Sequence, residues 1–230
     1  MRAKSLKGER TRQRILETAA GLLQTKGFHG MSVDDILAES KTGKSQFYHY
    51  FISKEALVSE IIEIFEREKP LDLPKSSDAF KNSIYGLFNS LKFKTLNEFF
   101  FWLDQFPNEF QNGCYRYGCP LGALGSEISS QNENIRCLLQ ETFQNWIEDL
   151  TAQLSLLKKT AQLPSHLCPE QTAVLVISSL QGSLILGKTI KSVLPIKSTI
   201  AAIKQHFLTS VKNDTKHRRP KQLPLLSFAP

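Results

Sequence analysis

Residues 32–54 read SVDDILAESKTGKSQFYHYFISK, and the rest of the chain is ordered around them. Ser32 followed three residues on by Asp35 is a capping-box start: the hydroxyl accepts from the later amide and the carboxylate returns the bond. Val33, Ile36 and Leu37 then give a first short helix its apolar side. A polar turn follows, Ser40-Lys41-Thr42-Gly43, and a second helix spans residues 43–50. There Phe47 and Phe51 stand four apart and turn inward together. Lys44, Ser45, Gln46, Tyr48 and His49 are left facing out. Two short helices on a tight turn, the second with an outward row of hydrogen-bond donors, is the arrangement that lays a helix in the major groove of DNA.

Upstream, Ile15, Ala19, Leu22 and Leu23 fall on one helical face, and Gly27 stands where a C-cap glycine belongs. Residues 1–9 read as a mobile basic arm. Downstream, Ser53 caps a further helix with the stripe Leu57, Ile61, Ile64 and Phe65, and residues 70–77 carry two prolines and read as a linker. Past the linker the period stays helical. Phe80, Ile84, Leu87 and Leu91 mark one helix, and Thr95 with Glu98 caps the next. Pro120 opens another. The strongest stripe lies at 133–160: Ile135, Leu138, Leu139, Thr142, Trp146, Leu150, Leu154 and Leu157. Residues 174–186 are apolar nearly all round, which predicts burial on every side, here against a second subunit. Nothing alternates with a strand's period, so the fold class is all-α.

Charge is confined to the ends. Residues 1–54 hold ten Lys/Arg against five acids and residues 213–230 four against one, so the long middle is close to neutral in a chain of net charge +7. Positive charge that coincides with the two-helix stretch is the footprint of a polyanion binder. The tail, with KHRRPK and three prolines, reads as a disordered basic segment. The four cysteines, Cys114, Cys119, Cys137 and Cys168, show no C-x-x-C pair and no histidine at ligand spacing, so no metal or other cofactor is expected. Cys114 and Cys119 read as ordinary thiols before they read as a redox pair. No run has the pattern of a signal peptide or the length of a membrane span, which predicts a cytoplasmic protein.

Residues 10–57, RTRQRILETAAGLLQTKGFHGMSVDDILAESKTGKSQFYHYFISKEAL, resemble the N-terminal domain of the tetracycline-repressor (TetR) family. The resemblance rests on Ile15-Leu16, Ala19-Ala20 and Leu22, the Gly27-Phe28 break, Ser32-Val33-Asp34-Asp35-Ile36, and Phe47-Tyr48-His49-Tyr50-Phe51 followed by Ser53-Lys54-Glu55-Ala56-Leu57. The turn departs from the family's usual Ala-Gly-Val-Ser: Lys41 takes the tight-turn position, Gly43 the helix cap, and Thr42 replaces a valine.

The DNA-facing set is then Ser32, Thr42, Gly43, Lys44, Ser45, Gln46, Tyr48, His49 and Lys54. Lys44 suits a guanine edge or a phosphate and Gln46 an adenine edge. Ser32 and the free amides beside it suit a phosphate, as does Lys54 at the start of the next helix. The resemblance implies backbone contact for Tyr48 and His49. Arg10, Lys4 and Lys7 add attraction without sequence preference.

The resemblance further implies a homodimer on a pseudo-palindromic double-stranded DNA operator and a small-molecule effector bound among the body's helices. Tyr85, Phe88, Phe99, Trp102, Phe106 and Trp146 are the candidate lining for an apolar or aromatic effector, although aromatics at helical spacing are ordinarily core. The expected domains are 1–54 for DNA, 55–212 for effector and dimer, and 213–230 as tail, with the helices at 133–160 and 169–188 pairing across the dimer. The expected function is a one-component regulator, most simply a repressor released by its ligand. The alternative is a ligand-independent or architectural DNA-binding protein. No paired carboxylates, nucleophile–base arrangement or phosphate-binding glycine loop points to an enzyme.

Overall fold

The structure, a computed structural model, describes residues 6–66, 87–88, 91–112, 118–164 and 166–217. Nine helices lie among the described residues: α1 (Leu6–Gly30), α2 (Val33–Ser40), α3 (Lys44–Tyr50), α4 (Lys54–Glu66), α5 (Leu96–Asn112), α6 (Pro120–Ile128), α7 (Glu133–Lys159), α8 (Pro169–Ile190) and α9 (Leu194–His217). No strand occurs among them. The chain is all-α, as its periodicity predicts.

The head is built from α1 to α3, with α4 packed beside α1. Ile15, Ala19, Ile36, Phe47 and Leu57 are fully buried in it, each large apolar side chain contributing about 1.5–3 kcal/mol by leaving water. The capping box forms as read: Asp35 N donates to Ser32 Oγ at 3.0 Å and Ser32 N to Asp35 Oδ2 at 2.9 Å. Ser53 Oγ accepts from Ala56 N at the start of α4. Gly27 breaks α1 with φ 72 and ψ 179, a region open essentially to glycine alone.

The body is organised on α7. Its stripe of Ile135, Leu139, Thr142, Trp146, Leu150, Leu154 and Leu157 is buried, and the helix packs against α8, α4 and α6. Head meets body along two seams, α1 on α6 and α4 on α7.

Two expectations are corrected. Residues 6–9 are the first turn of α1, not part of an arm, because Leu6 starts a helix that Ile15 and Leu16 anchor. At the other end α9 carries on to His217, so the tail does not begin at 213. The apolar stripe of α7 is covered inside the protomer, while Leu156 on the same helix stays 49% exposed. Most of the exposed apolar side chains in the body lie on α8 (Val174, Leu175, Ile185, Leu186, Ile190) and α9 (Leu194, Leu208), with Phe101 on α5 and Leu156 on α7 in addition. The linker at 70–77, most of the helix read at 80–91, Tyr85, Cys114, and residues 1–5 and 218–230 lie outside the described residues.

Candidate nucleic-acid interface

Helix α3 has only seven residues, and an isolated helix of that length does not hold in water. Its position comes from Phe47, which is fully buried and in ring contact with Tyr48 at 5.2 Å and Phe51 at 5.8 Å. Around Phe51 the head is tied across: the Arg12 guanidinium lies 5.7 Å from the ring centroid and pairs with Glu60 of α4. With that inward face fixed, Lys44, Ser45, Gln46, Tyr48 and His49 all come out exposed on the other side. Tyr48 keeps 48% of its surface in water, much for so large a ring.

The turn is shaped as its composition implies. Lys41 adopts the left-handed conformation, φ 52 and ψ 46, and its amide donates to Leu37 O; Gly43 is extended, φ −85 and ψ 157, and precedes α3. Thr42 points back: its hydroxyl pairs with the buried Ser40 hydroxyl at 2.6 Å, so it holds the turn closed.

Hydrogen bonds within the head refine two of the assigned residues. Gln46 Oε1 accepts from Gly43 N at 3.1 Å. Its amide NH₂ remains to donate, whereas two-bond pairing with adenine requires the oxygen as well. Ser32 Oγ already donates to Asp35 Oδ2 at 2.6 Å, which leaves the first amides of α2 as the donors for an anion. Lys26 completes that corner with Nζ 2.7 Å from Asp35 Oδ1. This lysine first, and then Ser32, hold the Asp35 carboxyl far below the usual carboxylate range.

Lys54 stands apart from the row. Its ammonium donates to Phe28 O at 3.0 Å and Met31 O at 2.9 Å and sits 4.0 Å from the Phe28 ring centroid. It satisfies carbonyls at the end of α1 rather than facing outward. Arg10 is exposed on the first turns of α1; the side chains of Lys4 and Lys7 are outside the described residues.

In the body, Phe88, Phe99, Trp102, Phe106 and Trp146 are all buried and pack on one another. Phe88 stacks on Trp146, centroids 4.4 Å apart and 11° between planes, and meets Phe106 edge-on at 5.1 Å. Trp102 donates Nε1–H to Leu87 O at 2.7 Å. These rings form core. No group of three or more His, Cys, Asp or Glu able to hold a metal occurs among the described residues.

Residues 15–61 match the family of bacterial regulatory proteins called tetR, and residues 96–202 match the C-terminal domain of LmrA/YxaF-like transcriptional regulators. A helix-turn-helix (HTH)-type transcriptional regulator encoded in the lacX 3′ region of Lactococcus lactis subsp. lactis is 30% identical over 86% of this chain and 93% of its own. The chain belongs to the TetR family. Among other relatives, the HTH-type transcriptional repressor DhaR of Mycobacterium sp. (strain GP1) is 23% identical over 88% of this chain and 94% of its own. The crystal structure of the reduced form of Escherichia coli NemR superposes with a TM-score of 0.70 at 24% identity, covering 85% of this chain and 96% of that one. This TetR-family chain is a transcriptional regulator with an N-terminal HTH domain and a helical C-terminal domain. What sequence reasoning missed is Glu127, whose carboxylate reaches the head from α6; no periodicity or spacing marks a contact across 99 residues.

Proposed function

We propose that this chain is a cytoplasmic repressor that binds a pseudo-palindromic DNA operator as a homodimer and leaves it when a small molecule binds the body. The observation that carries the reading is the exposed row Lys44, Ser45, Gln46, Tyr48 and His49 on a helix whose opposite side is locked by the fully buried Phe47. A rigid helix with a donor-rich outer face is what major-groove readout requires. Lys44 and the Gln46 NH₂ take base edges; Tyr48, His49 and Ser45 take the backbone; and Gly43, Thr42 and Ser32 shape and abut that surface. Lys54 acts behind the interface as a tie.

The dimer forms through α8 and α9, whose exposed Val174, Leu175, Ile185, Leu186 and Leu208 supply an apolar face. Contrary to the reading of the sequence, helix α8 is long and apolar enough to cross a membrane by length and composition. The core helix of a soluble protein passes the same test, and TetR-family regulators are typically dimers. The effector is apolar or aromatic and is bound beside Phe88, Phe99, Trp102, Phe106 and Trp146. Its entry requires the packed rings to part.

Operator titration by fluorescence anisotropy tests the reading. Lys44→Ala and Tyr48→Ala each weaken binding by about 5- to 150-fold, the span of 1–3 kcal/mol, and leave the helical circular dichroism unchanged. Undiminished affinity in both overturns the interface. The chain's two tryptophans, Trp102 and Trp146, both belong to the aromatic cluster. A true effector therefore shifts intrinsic fluorescence as it lowers operator affinity.

A further inference from the structure

The break in α1 and the side of α6 meet at one carboxylate. Phe28 N donates to Glu127 Oε2 at 2.7 Å and His29 N to the same oxygen at 3.3 Å. His29 makes the return contact, its ring Nε2 3.1 Å from the Glu127 carbonyl oxygen, which requires the hydrogen to sit on Nε2. These bonds join residues 98 and 99 apart in sequence.

The break itself makes room for this. The two amides are free to point at α6 because Gly27 takes the chain out of helix just before them. A Cβ on Gly27 would come within 2.5 Å of Glu127 Oε1, so glycine is needed both for the backbone angle and for the carboxylate's approach. Beside the contact, a cavity of about 130 Å³ lies between Leu23, Lys26, Cys119, Ala123 and Lys188. At this end of the seam, head and body are held by a polar contact beside open space, not by continuous packing. The Lys54 ammonium grips the other side of the same segment through Phe28 O and Met31 O. The segment from Phe28 to Met31 is therefore held from the body by Glu127 and from α4 by Lys54.

We propose that Glu127 is a positioning residue that couples the body to the DNA-binding head. Its carboxylate sets the angle of the α1–α2 unit on α6, and a displacement of α6 reaches the head through this contact separately from the α4–α7 seam. Only the affinity arm of the test depends on the reading of α3 as the operator-binding helix.

The test compares wild type with Glu127→Ala, Glu127→Gln and Gly27→Ala in the full-length protein. Three measurements are made: amide hydrogen exchange, thermal unfolding, and binding to an operator selected from random DNA. In Glu127→Ala the amides of Phe28 and His29 exchange at least ten-fold faster while those of Ile36 and Leu57 keep their protection. The head unfolds in a separate, earlier transition. Operator affinity falls about ten-fold with no change in its salt slope, since no phosphate contact is lost. Glu127→Gln, which keeps an acceptor oxygen and loses the charge, shows a smaller effect of the same kind, and Gly27→Ala matches the alanine variant. Faster exchange at Phe28 and His29 with one unfolding transition and unaltered affinity makes Glu127 a local hydrogen-bond acceptor and overturns the coupling. Should wild type select no operator, the regulator reading fails while exchange and unfolding still decide the coupling.

Discussion

Lys54 Nζ lies 4.0 Å from the centroid of the Phe28 ring while donating to the Phe28 and Met31 carbonyls. The cation thus closes the end of α1 onto the start of α4. Lys54→Met keeps the stem and removes the donors, leaving two carbonyls without their partner. The expected loss is about 1–3 kcal/mol, read as a lower midpoint in chemical denaturation. A variant with full stability and weakened DNA binding would return Lys54 to the interface.

Neighbouring aromatics on α3 separate stability from recognition. Phe47→Ala empties a fully buried site and should cost about 3–5 kcal/mol. Tyr48→Ala, at a half-exposed position, should shift stability by no more than about 0.5 kcal/mol while it weakens operator binding. Denaturation curves and operator titrations on the same two variants check both halves.

Much of this division was legible in the sequence. The four-residue spacing of Phe47 and Phe51 and the Ser32–Asp35 box follow from local rules and are found where those rules put them, whereas Gly27, read as a C-cap, kinks α1 and the helix runs on to Gly30. The candidate site was legible as a surface but not in its internal bonds. That Gln46 spends its oxygen on Gly43, that Thr42 turns to Ser40 and that Lys54 turns to Phe28 are choices among partners that spacing leaves equal. Which helices face a second subunit was not legible for a related reason. A strong stripe such as that of α7 marks burial without telling whether the cover is α8 of the same chain or a second copy.

Acid sensitivity should trace to Asp35. Lys26 and Ser32 hold its carboxyl below the ordinary range in the folded head, so the unfolded chain takes up the proton first as pH drops. Its stabilising contribution is complete above the ordinary carboxylate range and is lost as pH falls through and below it. Thermal midpoints measured from pH 7 to pH 3 should therefore fall more steeply for wild type than for Asp35→Asn, which starts lower at pH 7. Parallel curves would contradict the assignment.

A charge on the exposed face of α8 should separate the subunits. Ile185 is 56% exposed within the protomer, and Ile185→Asp buries an unpaired carboxylate if α8 pairs with its copy, a strongly unfavourable step. Sedimentation should show monomers for Ile185→Asp and for Leu175→Asp, and dimers for wild type. Asp at Leu156, an exposed position on α7, should leave the dimer intact.

The central claim is tested most directly by selecting DNA from a random pool with the purified protein at two salt concentrations. The account predicts an inverted repeat with half-sites about 34–36 Å apart, still enriched at the higher salt. For about eight phosphates neutralised by the dimer, log affinity should fall against log salt with a slope near −7. Binding without sequence preference that disappears at the higher salt would contradict it and leave a non-specific or architectural DNA-binding protein.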